Sequence, residues 1–139
     1  MIILDTTVLV YAVGDDHPFR DPCIDLLTAH RNGRIEATTT VEVIQEFAHV
    51  YARRRDRSTA VKVAASYADA FLLIETTSAD LRAGLEIYAR HQKLGSFDAV
   101  LAGVALARGA EALVSADRAF GLVAGLHWLD PVEAAARPI

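Results

Sequence analysis

The sequence predicts an α/β protein, a three-layer α/β/α sandwich around a central, mainly parallel sheet. Short apolar runs typical of buried strands alternate along the chain with longer segments of helical periodicity. This alternation favours parallel strands covered by helices on both faces. The chain has 139 residues, 53% of them hydrophobic. That length supports one core and is too short for two, so we expect a single domain over residues 1–139.

In the first half of the chain, each predicted strand is followed by a helical segment. The run Ile2–Leu4 is apolar throughout and predicts a buried strand, and Arg34–Thr38 predicts a second one. Between them, FRDPCIDLLTAHRNG predicts a helix that begins near Asp21, because Pro22 is tolerated only in a first turn, and that ends at Gly33. After the second strand, the apolar residues of TTVEVIQEFAHVYARRR recur at helical spacing.

The second half continues the same alternation. STAVKVAASYADAFLL predicts a helix capped by Ser58, and Leu73–Thr76 predicts a third strand. SADLRAGLEIYARHQKLG predicts a helix that Ser78 caps and Gly95 ends, and FDAVLAGVALARG predicts another, capped by Ser96. The last predicted elements are the strands Ala112–Ser115 and His127–Leu129 and a short C-terminal helix.

Composition and charge exclude several classes of protein. The longest apolar run, Ala99–Ala107, is too short to span a membrane, and the N-terminus has no basic region before a long apolar stretch. The single cysteine fits a reducing compartment, so we expect a cytoplasmic protein without a membrane segment. The net charge of −4 gives no bulk attraction to nucleic acid.

The basic residues are distributed unevenly. Twelve of the fourteen are arginines, and four of these lie within RRRDR, residues 53–57. The planar guanidinium matches phosphate better than an ammonium group does. The alternative, a solvated helix end with cations near its negative dipole end, explains the run equally well.

Four acidic residues are predicted to lie at one edge of the sheet. Asp5 directly follows the first strand and Asp117 follows the strand Ala112–Ser115. In open parallel sheets, ligands bind beyond the carboxyl ends of the strands. Asp98, in the first turn of its helix, and Glu46, about two turns into the helix after the second strand, could project into the same crevice.

Two of these acids, and the neighbouring Glu42, also have local explanations. Asp98 could complement the helix dipole, and Asp117 could be an ordinary turn residue. Thr39 and Glu42 match a capping box, which would engage Glu42 with the backbone of Thr39. Glu46 has no such local role, and neither does Asp5, since it directly follows a buried strand.

Four carboxylates in one crevice would repel one another. At ~5 Å and an effective dielectric constant of ~20, each pair costs roughly 3 kcal/mol. A divalent cation removes this repulsion, and oxygen ligands without clustered Cys or His favour Mg²⁺ or Mn²⁺ over zinc. Such a cation retains water that can attack a phosphodiester. The acids therefore predict a metal-dependent phosphodiesterase centre.

The segments around these acids resemble those of the PIN-domain nucleases, and specifically the VapC-type toxins of bacterial toxin–antitoxin pairs. The segments follow one another in the order and at the spacing typical of that family, and together they extend over almost the whole chain. The matching segments are ILDTTVLVYA, TVEVIQEF, GSFDAVLAGVALARG and LVSADRAF.

This resemblance implies a PIN-like fold and a Mg²⁺- or Mn²⁺-dependent endoribonuclease. Its catalytic and metal-binding residues would be Asp5, Glu46, Asp98 and Asp117. Thr6 and Ser115 match supporting polar positions; Thr7 stands where many relatives have asparagine or serine, but its hydroxyl can still form hydrogen bonds. The resemblance also implies a homodimer and a VapB-type antitoxin that blocks the acidic site, often with an arginine.

RNA needs basic residues around such a site. The candidates for phosphate contacts are Arg20, Arg82, Arg90, Lys93, Arg108 and Arg118, each of which could equally belong to a solvated helix face. We expect Tyr11 and Phe97 to pack against the protein rather than to stack on bases.

Other functions remain to be weighed against nuclease activity. Haloacid-dehalogenase phosphatases require a second aspartate at the position of Thr7. A receiver domain requires an acidic pair earlier in the chain than Asp15 and Asp16. The sequence also lacks the Gly-rich phosphate loop of Walker-type and dinucleotide-binding proteins. The remaining alternative is a catalytically inactive PIN-like module that binds RNA or protein. All four acids are present in this chain, which favours an active enzyme.

Overall fold

The computed structural model describes residues 1–137, and its centre is a four-stranded sheet. The strands pair in the order β2-β1-β3-β4, and all pairs are parallel. Because the strands are parallel, their carboxyl ends share one edge of the sheet. The strands are β1 (Ile2–Leu4), β2 (Ala37–Thr38), β3 (Ala112–Val114) and β4 (Trp128–Leu129).

Helices cover this sheet in the three-layer α/β/α arrangement that the sequence predicts. Within residues 1–137 there are seven α-helices, and a 3-10 helix (Arg118–Leu122) follows β3. None of these helices has both the length and the apolar content that a membrane span requires. The α-helices are α1 (Thr6–Ala12), α2 (Arg20–Arg31), α3 (Val41–Arg54), α4 (Arg57–Ala70), α5 (Ser78–Arg90), α6 (Ser96–Ala107) and α7 (Pro131–Ala135).

Helices α5 and α6 approach each other unusually closely. A Cβ atom added to Gly84 of α5 would lie 2.5 Å from the backbone Cα of Val100 in α6. Only glycine therefore fits at this position, and it brings the first turns of α6 close to α5. The sheet, in turn, contributes fully buried side chains such as Ile3, Leu4 and Leu113 to the core.

One predicted strand is wrong. Leu73–Thr76 forms only a single parallel bridge, between Ile74 and Thr40, rather than a strand of the sheet. The backbone of Ile74 bonds to Thr39 and Val41, just beyond the end of β2, so the segment meets the chain where it already turns into α3. The short helix α1 was not among the predicted elements either.

The predicted serine caps are each displaced by one or two residues. Ser58, Ser78 and Ser96 lie inside the first turn of their helices, and an earlier residue occupies the cap. Gly33, by contrast, follows the end of α2 with a φ of 73°, the left-handed conformation in which glycine is favoured. The observed caps are Asp56, Thr77 and Gly95.

Candidate active site

The adjacent strands β1 and β3 bring Asp5 next to the segment that follows β3. The backbone N–H of Asp5 donates to the carbonyl of Val114 at 3.0 Å. Asp5 occupies the N-cap position of α1, but its side chain accepts no capping bond. Asp5 is buried, with 3% exposed, so its charge has to be stabilised by hydrogen bonds or by a counterion.

Two hydroxyl groups hold the Asp5 carboxylate. Thr7 Oγ1 donates to Asp5 Oδ2 at 3.0 Å, and Ser115 Oγ donates to the same oxygen at 2.7 Å. Each hydroxyl also accepts a backbone N–H, Thr7 from Ala116 and Ser115 from Asp117. Each hydroxyl hydrogen is therefore directed to the carboxylate. Burial raises the pKa of Asp5, and these two hydrogen bonds offset only part of that rise.

The pKa of Asp98 depends on its burial and on the charges of the other three acids. Burial in the first turn of α6 and then the negative charges of Asp5, Glu46 and Asp117 raise its pKa from 3.8 to about 7. Such an effect requires the three charges to lie near Asp98. The four predicted acids, which span 113 positions of the sequence from Asp5 to Asp117, thus converge on one region.

The start of α3 positions Glu46. The hydroxyl of Thr39 donates to the carbonyl of Leu4 at 2.6 Å, which ties this segment to the end of β1. Thr40 then caps α3 by accepting the N–H of Val43. Glu46 follows in the second turn and lines the same groove as Asp5 and Asp98.

Asp117 has both a local and a shared role. Its Oδ1 accepts the N–H of Ala119 at 2.9 Å and so caps the 3-10 helix, as the turn interpretation expects. Its charge also contributes to the raised pKa of Asp98. The capping role therefore does not remove Asp117 from the cluster.

Glu42 is a fifth acid that the sequence analysis assigned wrongly. It forms no capping box, because Thr40 rather than Thr39 caps the helix. Its Oε1 instead accepts the hydroxyl of Thr76 at 2.6 Å, and it lines the groove one turn before Glu46. The spacing of four residues between the two glutamates is the signal that places both on one helix face.

The spacing of the acids bears on whether a metal fits. Within residues 1–137, no three Asp, Glu, His or Cys side chains lie close enough to enclose an ion directly. Direct coordination by three of them is thus not pre-formed, although the charges still act on Asp98. Mg²⁺ commonly binds through one or two carboxylates and several waters, so this spacing suits that ion better than one that needs a closed protein cage.

An unpaired hydroxyl supports the same fit. Thr6 Oγ1 is buried and has no hydrogen-bond partner in the described part of the chain, and Thr6 lines the groove beside Asp5. Buried hydroxyls rarely lack a partner unless water or a ligand supplies one. An oxygen-only set of ligands with a free hydroxyl beside it fits a hydrated hard cation and a phosphate group.

Asp5, Glu42, Glu46 and Asp98 line a groove of about 510 Å³ that also has apolar side chains in its wall. Phe97 is 70% exposed in this groove, so the expectation that it packs against the protein is wrong. Tyr11 does pack, with ring centroids 4.4 Å from His17 and 5.6 Å from Phe19. The apolar wall consists of Val43, Leu81, Leu85, Phe97, Val100 and Leu101.

The basic candidates differ in what they contact. Arg20 donates from Nε to the carbonyl of Gly14 at 3.0 Å, which engages part of its guanidinium. Four candidates are exposed and form no ion pair within residues 1–137, so they are free to meet a ligand. These are Arg82, Arg90, Lys93 and Arg118.

Arg108 is engaged elsewhere. Both of its terminal nitrogens donate to Asp80, each at 2.8 Å, and Asp80 is buried with 4% exposed. These bonds, followed by those from Thr77, hold the pKa of Asp80 below its usual range. Asp80 also completes a capping box with Thr77 at the start of α5. The geometry gives Arg108 the role of joining the end of α6 to the start of α5.

Comparison with known proteins decides the family. The model of the PIN domain matches residues 2–126 of the chain. The chain belongs to the PIN-domain family. Among curated PIN-domain relatives, ribonuclease VapC7 of Mycobacterium tuberculosis is 53% identical over 128 residues, covering 86% of this chain and 84% of VapC7. Ribonuclease VapC13 of the same organism is 30% identical over 132 residues, covering 93% of this chain and 99% of VapC13.

Solved structures show the same PIN fold. VapC20 of Mycobacterium tuberculosis, described as a sarcin-ricin loop cleaving toxin, superposes with a TM-score of 0.76 at 19% identity, covering 91% of this chain and 96% of VapC20. A chain of VapBC2 from Rickettsia felis, bound to a promoter DNA fragment, superposes with a TM-score of 0.72 at 17% identity. The match covers 94% of this chain and 98% of the VapBC2 chain. At these identities the likeness concerns the fold. The predicted fold class and family are confirmed.

Proposed function

We propose that this protein is the toxin of a VapBC-type pair, a metal-dependent endoribonuclease whose single domain spans the chain. The observation that carries the proposal is that Asp5, Glu46 and Asp98, which are distant in the sequence, line one groove. Burial and the charges of Asp5, Glu46 and Asp117 raise the pKa of Asp98 there. Only Asp117 of these four acids has a local structural role, as the cap of the 3-10 helix, and that role does not require the other three acids beside it. The 53% identity to ribonuclease VapC7 supports RNA as the substrate.

The four acids would hold Mg²⁺ or Mn²⁺. When bound, the cation would neutralise charge on the phosphodiester and activate water. The two hydroxyls of Thr7 and Ser115 fix the Asp5 carboxylate before any ligand arrives, which avoids reorganisation during the reaction. The unpaired hydroxyl of Thr6 is available to donate to a phosphate oxygen or to water.

A VapB-type antitoxin is the proposed protein partner. The solved neighbours include VapBC complexes from Rickettsia felis and Salmonella typhimurium. The groove of this chain is lined by acids and by apolar side chains. A segment with apolar residues and one arginine would match both kinds of lining residue, since guanidinium–carboxylate pairs are strong and geometrically specific.

The assembly and the compartment are also proposals. The family resemblance favours a homodimer, and in the described residues Leu72 and Val61 are 91% and 64% exposed, which leaves apolar surface that a second copy could cover. Light scattering of the purified protein tests this. A cytoplasmic location agrees with the RNA substrate and with the lone, buried Cys23.

The proposed activity is tested by RNA cleavage with matched variants. We expect the purified protein to cleave RNA with Mg²⁺ or Mn²⁺ and to stop on addition of a chelator, and we expect Asp98→Asn to be inactive. Asp21→Asn is the control, because Asp21 also lies in the first turn of a helix but is exposed and outside the cluster. Equal cleavage by the wild type and Asp98→Asn would point to a contaminating nuclease, and RNA binding without cleavage would favour the inactive module.

A further inference from the structure

The turn between α3 and α4 carries four arginines, and the proposed function makes no use of them. We propose that this basic turn, residues 53–57, binds backbone phosphates of the RNA on one side of the cleavage point. The inference rests on the proposed ribonuclease function and extends its substrate-binding surface beyond the groove.

The arginines of the basic turn are exposed and uncommitted. Arg53, Arg54, Arg55 and Arg57 are exposed, and none of them forms an ion pair within residues 1–137. The only acid in the turn forms no ion pair with them: the two oxygens of Asp56 accept the backbone N–H and the hydroxyl of Thr59, at 2.7 and 2.9 Å. Four guanidinium groups thus remain available to an anion.

Helix electrostatics does not explain the whole turn. Arg53 and Arg54 lie in the last turn of α3, where a cation is favourable. Arg57, however, is the first residue of α4, where the helix dipole disfavours a cation. The positive charges of the other three arginines also repel Arg57 and one another at this turn. A ligand with several negative charges would relieve that repulsion.

The basic turn is aligned with the acidic site along α3. Arg53 follows Glu46 by seven residues, which is nearly two full turns, so the two lie on the same helix face. The helix rise separates them by about 10 Å, which corresponds to roughly three phosphates at the axial spacing of a stacked strand. The residues that line the groove include no Lys or Arg. Phosphates next to the cleavage point would therefore find their cations beyond the groove, and the basic turn supplies four.

The salt dependence of RNA binding tests the inference. Binding of a short fluorescent single-stranded RNA is measured in chelator, between ~50 and ~200 mM KCl, for the wild type and for the triple variant Arg53→Gln/Arg54→Gln/Arg55→Gln. Loss of three phosphate contacts should reduce the slope of log K against log[salt] by about 2 and weaken binding about 100-fold at ~0.1 M salt. The corresponding triple lysine variant keeps the charge and should keep most of the slope.

Matched controls separate this effect from loss of charge or fold. Arg31→Gln/Arg34→Gln removes two exposed arginines at the end of α2, before the amino end of β2, and should leave the slope unchanged. Glutamine has nearly the helix propensity of arginine, so the melting temperatures should agree. RNA cleavage in the presence of Mg²⁺ or Mn²⁺ tests the ribonuclease function separately.

The inference is overturned if the triple glutamine variant of an actively cleaving protein keeps the wild-type slope. It is also overturned if the α2 control reduces the slope of log K against log[salt] by as much per arginine removed. The effect would then be one of net charge. A variant that binds RNA normally but loses an acidic protein partner would assign the turn to that partner instead. A wild type that neither binds nor cleaves RNA would refute the proposed function itself.

Discussion

Replacement of Asp98 by asparagine should stabilise the metal-free protein at alkaline pH. Asp98→Asn retains the shape of the side chain and removes one of four like charges. The wild-type carboxyl has a pKa of about 7 in the folded protein and near 3.8 when exposed in the unfolded chain. Between these values the folded state binds a proton that the unfolded state does not. The free energy of unfolding therefore falls as pH rises through this window and stays reduced above it.

The size of the change in the free energy of unfolding follows from the difference between the folded and unfolded pKa of Asp98. About three pKa units at 1.36 kcal/mol each correspond to about 4 kcal/mol at most, fully expressed above pH ~8 and absent below pH ~4. For a domain of this length, this amounts to a change in Tm on the order of 10 °C. Added Mg²⁺ or Mn²⁺ should reverse the advantage of the variant, because the cation binds the folded wild type.

Thermal unfolding in chelator at several pH values between ~4 and ~8 measures this difference. The difference in Tm between Asp98→Asn and the wild type should increase with pH, whereas Asp21→Asn, an exposed acid in the first turn of α2, should follow the wild type. A constant difference across the pH range would refute the reasoning, since it would mean that neither burial nor the other three carboxylates raise the pKa of Asp98.

Three further substitutions test the contacts around the site by thermal or urea unfolding. Thr7→Val removes a hydroxyl that links a backbone N–H to the buried carboxylate and should cost about 1–3 kcal/mol, whereas Thr7→Ser should cost much less; equal costs would deny the hydroxyl its role. Arg108→Gln leaves Asp80 without its two charged donors and should cost about 2 kcal/mol, and an unchanged stability would show that the pair is merely a surface contact. Gly84→Ala should cost about 1–3 kcal/mol or more because its Cβ meets backbone at 2.5 Å, whereas Gly95→Ala, which faces open space, should be tolerated; similar stabilities would mean that α5 and α6 can move apart.

The sequence is most informative where an acid directly follows a strand. Asp5 and Asp117 could be located because parallel strands bring their carboxyl ends to one edge. Asp98 and Glu46 could be located because each lies in the first two turns of a helix that starts near that edge. Helix periodicity also predicted six of the α-helices. The exception, α1, has the β-branched and aromatic composition of TTVLVYA, which is typical of a strand, and only the tertiary context makes it helical.

Other features depend on contacts that chain spacing cannot predict. Thr7 and Ser115 are 108 residues apart, yet both donate to one oxygen of Asp5. Three consecutive threonines precede α3, and propensity alone could not tell that the last of them caps the helix, so Glu42 was misassigned. The exposure of Phe97 depends on how far α5 and α6 leave the groove open, which is a property of packing.

The central claim is that four carboxylates, distant in the sequence, share one divalent cation, which one or two of them bind directly and the others through its waters. Anomalous scattering from a crystal of the active protein grown or soaked with Mn²⁺ tests it most directly. The account predicts an anomalous peak among Asp5, Glu46, Asp98 and Asp117, and no peak there in Asp98→Asn. A crystal of cleavage-competent protein, saturated with Mn²⁺, that shows its ion elsewhere would contradict it.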